Sequence, residues 1–282
     1  MQVKTENLEY VYMAGTPYAK TAISDINIEI NSGEFVGLIG HTGSGKSTLI
    51  QHLNGLIKPT SGRVLVDGKD INSKEVSLRS LRFKIGLVFQ YPEYQLFDET
   101  VLSDISFGPK NLGLSEAEAH ARAREAMELV GLPASLETKS PLELSGGQKR
   151  RVAIAGVLAM KPELLILDEP AAGLDPKGRN EILSRIKDLH EKQHMSILLV
   201  SHSMEDIAKM AERVLIIKDG KIAREGTPEE IFGLGDELLS CGLDVPQITK
   251  LINKIRASGI SLSENIYTVS KAEQELLKLF KQ

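Results

Sequence analysis

Several things are scarce or missing in these 282 residues, and each absence narrows the reading. There is one cysteine, Cys241, so no disulfide framework and no thiolate metal site can form, which fits a reducing cytosol. The opening residues, MQVKTENLEY, lack the apolar core of a secretory signal. No apolar run approaches the ~20 residues needed to cross a membrane. The longest, 164–167 and 197–200, have the length of a buried strand. The chain is expected to be soluble by itself, with any membrane role acting through a partner. A net charge of −4 gives no basic excess for nucleic acid, and no block of like charges marks a disordered tail. Neither an internal repeat nor a low-complexity tract occurs. What remains is ordinary globular material: 41% hydrophobic residues, in a length that suits one large domain, or one domain plus a small addition.

The first 30 residues look like strands, the beginning of a small antiparallel sheet. Ile26, Ile28 and Ile30 alternate with Asn27 and Glu29, the period of a half-buried strand. Val64–Val66 followed by Asp67-Gly68 reads as a hairpin. A different pattern is carried by Phe35–Ile39, Ile85–Phe89, Leu164–Leu167, Ile197–Val200 and Val214–Ile217. These nearly continuous apolar runs suit strands buried on both faces of a parallel sheet. Helical patterns lie between them. Ser115 with Glu118 reads as a capping box, with Gly131 at that helix's end. Asp175-Pro176 reads as an N-cap with proline at the first helical position, and Ile182, Leu183, Ile186 and Leu189 follow on one face. Strands alternating with helices predict a doubly wound α/β core. From about Glu93 to Leu144 no buried-strand run occurs, which predicts an inserted helical subdomain. Past Gly233, Ile248, Leu251, Ile252 and Ile255 predict one short amphipathic helix, and Leu276, Leu277 and Phe280 another.

The chemistry begins at Gly40, His41, Thr42, Gly43, Ser44, Gly45, Lys46 and Ser47, which fit GxxxxGK[ST]. Glycines let backbone N–H groups turn inward around phosphate oxygens, and the following helix offers its positive end. Lys46 can reach β- and γ-phosphates, Ser47 can ligate Mg²⁺, and Thr48 can touch the α-phosphate. The run 164–167 ends in Asp168 and Glu169. Asp168 is predicted to hold Mg²⁺ and Glu169 to deprotonate an attacking water. An Asp-Glu pair at a strand end is more often merely solvated; beside a phosphate loop the functional reading prevails.

Leu144-Ser145-Gly146-Gly147-Gln148 has a plain reading, a capping box opening a helix that runs towards Met160. Two features exceed it: glycines in a first turn cost helix stability, and Lys149, Arg150 and Arg151 put positive charge where the helix dipole disfavours it. A bound anion at this terminus would account for both, which suggests that two chains share each nucleotide. Gln90 and His202 are individually weak, since a lone histidine after a strand is usually structural. Yet Gly40, Gln90, Asp168 and His202 all fall at carboxyl ends of predicted strands, where open α/β sheets bind ligands.

The ordered set Gly40–Ser47, Gln90, Ser145–Gln148, Asp168-Glu169, Asp175 and His202 resembles the ATP-binding subunits of ABC transporters, over residues 3 to about 232. The segment Phe89-Gln-Tyr-Pro-Glu-Tyr-Gln-Leu-Phe97 is similar to the energy-coupling factor type. Gly15-Thr-Pro-Tyr18 and Ala171-Ala-Gly-Leu-Asp175 look like the second of its two ATPase paralogues. The resemblance implies a P-loop nucleotide-binding domain over 1–232, combining the α/β core with an antiparallel subdomain and a helical subdomain at about 93–150. A C-terminal extension would span 233–282. It implies ATP and Mg²⁺ as cofactors, with Ser47, Gln90 and Asp168 as ligands of the metal. Glu169, His202 and Gln90 would be catalytic, with Asp175 in the loop that communicates across the dimer. An aromatic residue would stack on adenine: Tyr12, with Tyr18 as its rival.

A head-to-tail dimer follows, with an identical or paralogous chain whose Ser145, Gly146, Gly147 and Gln148 close over this chain's ATP. An integral membrane coupling subunit and a substrate-capture subunit would be the further partners. The protein would sit peripherally on the cytoplasmic face, powering import of a vitamin or transition metal. The aromatic residues Tyr91, Tyr94, Phe97 and Phe107 favour a contact surface there. Two other readings stand beside this one: a soluble ABC-type ATPase uncoupled from transport, and a nucleotide-dependent regulator that does not hydrolyse.

Overall fold

The computed structural model describes residues 1–240, 242–263 and 265–279. In chain order its elements begin β1 (Val3–Tyr12), β2 (Lys20–Ile26), β3 (Glu29–Ile30), β4 (Phe35–Ile39), α1 (Lys46–Leu53), β5 (Ser61–Val66) and β6 (Lys69–Asp70). Then come α2 (Leu78–Lys84), β7 (Ile85–Val88), α3 (Val101–Asn111), α4 (Glu116–Leu129), α5 (Gly146–Leu158), β8 (Leu164–Asp168), α6 (Pro176–Gln193) and β9 (Ser196–Val200). The chain continues with α7 (Met204–Met210), β10 (Arg213–Lys218), β11 (Lys221–Gly226), α8 (Pro228–Gly233), α9 (Asp236–Ser240), α10 (Gln247–Ala257) and α11 (Val269–Leu279).

The two hydropathy patterns become two sheets. An antiparallel sheet runs β2-β1-β5-β6, with β3 also on β1. The alternating isoleucines are all buried, but not on one strand: β2 ends at Ile26, Asp25 takes φ 53°, and the chain re-enters the sheet at Glu29. The second sheet runs β11-β10-β4-β9-β8-β7, parallel except for the antiparallel edge β11. Its strands β4, β8 and β9 are buried at every residue, because helices cover one face, and α1 with the antiparallel sheet covers the other. One apolar cluster lies on each side, around Phe35, Leu165 and Leu199, and around Val36, Leu49 and Leu198.

Capping chemistry sets the helix ends. Ser115 and Glu118 form a reciprocal box at α4, as do Ser145 and Gln148 at α5, while Asp175 accepts from the Gly178 N–H at 3.2 Å at α6. Between β7 and β8 the ordered elements are helical: α3, α4 and α5, with short 3₁₀ turns at Pro92–Gln95, Ala134–Leu136 and Pro141–Glu143. Helix α5 stops at Leu158, short of Met160.

The last fifty residues are not a loose appendage. Leu238, Leu243 and Val245 join the helix-side core, and the Gln247 N–H donates to Glu205 at 3.0 Å. Ile252, Leu262, Ile266 and Ala272 then form a separate small core, against which Ile248, Ile255 and Leu276 pack. Leu251 and Leu277, expected on the apolar faces, are half exposed, because the two short helices turn only a narrow stripe inward. Phe280 and Cys241 lie outside the described residues. Among the described residues no helix is long and apolar enough to cross a membrane.

Candidate functional site

The carboxyl ends of β4, β7, β8 and β9 share one edge of the parallel sheet, so the residues that follow them are gathered there. Strand β4 delivers the loop from Gly40 to Ser47. A side chain at Gly40 would collide with the Ile217 carbonyl at 2.4 Å, and one at Gly45, whose φ is 111°, with Ile23 at 2.8 Å. The loop is therefore wedged between β2 and β10, and only glycine passes at these points. Gly220 N–H donates to the Ser44 carbonyl at 3.0 Å, closing the loop from the β10–β11 turn.

Lys46 is buried, and its ammonium donates to the carbonyls of Gly40 (2.7 Å) and His41 (3.0 Å). Burial holds that ammonium below its ordinary pKa, against the opposing pull of Glu169 and Asp168. Ser47 Oγ reaches Asp168 Oδ2 at 3.4 Å. Burial raises the Asp168 carboxyl, partly offset by the Ser47 hydroxyl and by Lys46. Ser47 and Asp168 present only hard oxygen donors, the type Mg²⁺ prefers, so the residues fit that ion.

Glu169 follows on a left-handed backbone, φ 52°, fixed by its N–H to the Val200 carbonyl at 3.0 Å. Burial, then the neighbouring Asp168, pushes its carboxyl up to about 7. Its Oε1 is buried without a hydrogen-bond partner. His202 Nε2 stands 3.6 Å away, beyond hydrogen-bond reach, with its ring half exposed. Burial and Lys46 both lower the His202 pKa, which keeps the ring neutral at physiological pH. A carboxylate with an unspent acceptor oxygen, beside a neutral imidazole, can take a proton from water. Glu169 and His202 line a cavity of about 650 Å³ together with Arg179, Ser203 and Asp206, and Arg179 pairs with Asp206 at 2.8 Å.

Beside the loop, a pocket of about 270 Å³ is lined by Tyr12, Lys20, Ala22, Gly45, Lys46 and Thr48. Tyr12 is 43% exposed and its hydroxyl meets Thr48 Oγ1 at 3.2 Å. Tyr18 is 79% exposed and does not line the pocket. Gln90 lies two residues past β7 and is exposed; the Ser47–Asp168 contact does not include it. Asp175 is exposed and engaged as the α6 N-cap.

The segment Ser145–Gln148 does not line the pocket beside the loop. A side chain at Gly146 would meet nothing within 4 Å, and one at Gly147 only Leu174, at 4.0 Å. Among the described residues nothing requires glycine at either place. The positive charge at the same helix end, expected to call for a bound anion, is met within the chain instead. Arg150 is 2% exposed and fully engaged: Nε and Nη2 donate to Glu93 at 3.0 and 2.7 Å, and Nη1 to the carbonyls of Pro170 (3.3 Å) and Ala172. It also stands 5.7 Å over the Tyr91 ring. Arg151 pairs with Glu181 at 3.4 Å. Internal carboxylates thus account for two of the three cations, with no anion needed.

This Arg150–Glu93 pair is the feature the sequence reading missed, and its members are too far apart for any local periodicity to link them. Arg150→Ala is expected to cost about 3 kcal/mol in urea unfolding, because Glu93, only partly exposed, is left unpaired. Arg150→Met combined with Glu93→Leu should recover most of that loss.

Comparison with known proteins follows the same outline. A family model described as ABC transporter matches residues 23–172. The energy-coupling factor transporter ATP-binding protein EcfA2 of Clostridium tetani is 60% identical over 99% of this chain and 98% of its own length. EcfA2 of Clostridium perfringens is 56% identical, covering 100% of this chain and 99% of that one. Among solved structures, cbiO1 from Clostridium perfringens, described as part of the ABC transporter complex cbiONQ, superposes with TM-score 0.73. It is 42% identical over 82% of this chain and 90% of that chain. The ATP-binding cassette MJ0796, solved as a dimer bound to ADP and Pi, gives TM-score 0.72 at 33% identity, over 80% and 98% of the two chains.

Proposed function

The chain belongs to the ABC transporter family, among the ATP-binding proteins of energy-coupling factor transporters, and from that premise we propose that it is one half of a two-chain motor powering a membrane importer. It binds and hydrolyses ATP. Transporter subunits match it along their whole length, which leaves an uncoupled soluble ATPase without support. One observation carries the two-chain reading: Gly146 and Gly147 open a capped helix where, among the described residues, nothing would come closer than 4.0 Å to a side chain placed there. Glycines kept bare towards the outside suit the close approach of another molecule's phosphate, held by the helix N-terminus and Ser145.

In this reading the loop N–H groups and Lys46 hold the phosphates. Ser47, Gln90 and Asp168 would hold Mg²⁺, which supplies neutralising charge on the phosphate oxygens. Tyr12 covers the adenine. Glu169 takes a proton from the water that attacks the γ-phosphorus, the bond to the bridging oxygen breaks, and ADP departs with that oxygen's electron pair. His202, neutral, donates to the γ-phosphate as charge builds there. Loss of the shared phosphate removes what the two chains both grip, so they part. Asp175, on its exposed α6 cap, faces the other chain.

Exposed Tyr91, Tyr94, Phe97 and Phe107 offer the membrane subunit its apolar contact, on the cytoplasmic face. Buried Arg150 joins that segment to α5 and to the loop after Glu169, so motion at one is felt at the others. Residues 1–232 form the ATP-binding domain, with its helical subdomain at about 93–150, and 233–282 the extension. A substrate-capture subunit, not this chain, selects the vitamin or metal.

The test is a complex purified with the membrane subunits of an energy-coupling factor transporter. Ser145→Arg should leave ATP bound yet stop turnover. Turnover that survives Ser145→Arg would overturn the two-chain site.

A further inference from the structure

Tyr10 and His52 stand beside the nucleotide pocket and have no part in the chemistry described so far. The Tyr10 ring meets Tyr12 edge-on, with centroids 4.8 Å apart and planes at 86°. It meets His52 in the same manner, at 4.9 Å and 68°. His52 lies on α1 and is 0% exposed. Its Nδ1 stands 2.7 Å from the Thr48 carbonyl. A carbonyl only accepts, so Nδ1 carries the proton and Nε2 is the acceptor. That Nε2 is buried without a hydrogen-bond partner.

An unpaired buried acceptor is a standing cost that a leucine in the same core would avoid. What histidine adds is a flat ring and an N–H fixed to the first turn of the helix that carries the phosphate loop. Tyr12 reaches the same residue from the other side, through its hydroxyl to Thr48 Oγ1 at 3.2 Å. Thr48 is thus held at its backbone by His52 and at its side chain by Tyr12, and Tyr10 packs edge-on against both rings. The ammonium of Lys46 draws on neither ring, since it bonds the carbonyls of Gly40 and His41.

We infer that Tyr10 and His52 are positioning residues that fix the Tyr12 ring against the phosphate loop, and so set affinity for the base end of the nucleotide but not for its phosphates. The inference rests on the reading of Tyr12 as the residue that covers adenine.

Two ligands separate the ends of the nucleotide: ATP, and inorganic tripolyphosphate, which has no base. Both are titrated, with Mg²⁺, against the full chain. Tyr10→Leu and His52→Leu should each weaken ATP by about two- to tenfold, the worth of one or two edge-to-face ring contacts. Tripolyphosphate affinity should stay unchanged, Tyr10→Phe should behave as wild type, and kcat in the assembled complex should move less than KM. The ratio of the two affinities cancels any loss of folded protein, so a poorly folding variant still gives an answer. A parallel fall in both affinities would make these residues supports of the phosphate loop and overturn the inference. So would an unchanged ratio in both leucine variants while Tyr12→Ala loses ATP selectively. If Tyr12→Ala leaves the ratio unchanged, the adenine reading of Tyr12 falls, and the inference with it.

Discussion

Glu169→Gln should bind ATP about as well as wild type and hydrolyse it about 10²–10⁴-fold more slowly, the usual worth of a positioned general base. The amide keeps the shape and loses the basic oxygen. A second effect has the opposite sign. Burial, with Asp168 nearby, raises the Glu169 carboxyl from 4.5 to about 7. The folded chain therefore holds a proton that the unfolded chain has released. Stability from this group is full below about pH 4.5 and is lost as pH rises through about 7. Glutamine has no proton to lose. In chelator, without nucleotide, Glu169→Gln should thus be more stable than wild type by about 3 kcal/mol at pH 8, and nearly equal to it by about pH 4.5. Thermal or urea unfolding at the two pH values reads the difference. Near-normal turnover would sink the role of Glu169. A stability gain independent of pH would sink the account of its burial.

Lys46→Ala should weaken ATP by about 100-fold or more, since two charge-assisted bonds to phosphate oxygens are each worth about 1.5–3 kcal/mol. The ammonium is already buried and aimed, bonded only to the two carbonyls at the head of its own loop. It need only exchange those carbonyls for phosphate, so little ordering offsets the gain. The alanine variant also strands the Gly40 and His41 carbonyls and should lose about 1–3 kcal/mol of stability in the absence of nucleotide. Unchanged ATP affinity would contradict the phosphate-loop reading outright.

Much of this was legible in the chain because the relevant signals are local. Each buried strand announced itself as an apolar run, and the caps at Ser115, Ser145 and Asp175 lie within three residues of the groups they satisfy. The residues following β4, β7, β8 and β9 could be grouped at one sheet edge because parallel strands share a direction. What was not legible is long-range side-chain geometry. Arg150 looked like an unsatisfied cation because its carboxylate, Glu93, arrives from another element entirely. The rings of Tyr10 and His52 meet only once β1 has packed beside α1. The break at Asp25 was hidden because burial alternates correctly across it, so the isoleucine pattern reads through as one strand.

The order of strands in the parallel sheet has a consequence for how the protein is made. Strand β4, which presents the phosphate loop, lies between β9 and β10, so Phe35 pairs with Ile197 and Val36 with Arg213. The loop is translated early, yet both walls of its strand are translated late. At 5–20 residues per second a nascent chain would carry this apolar strand unpaired for roughly 10–30 s. Until then the strand is exposed apolar surface, and the phosphate loop has no completed sheet behind it. A chain truncated between α1 and β9 carries the whole phosphate loop on a strand that has neither of its neighbours.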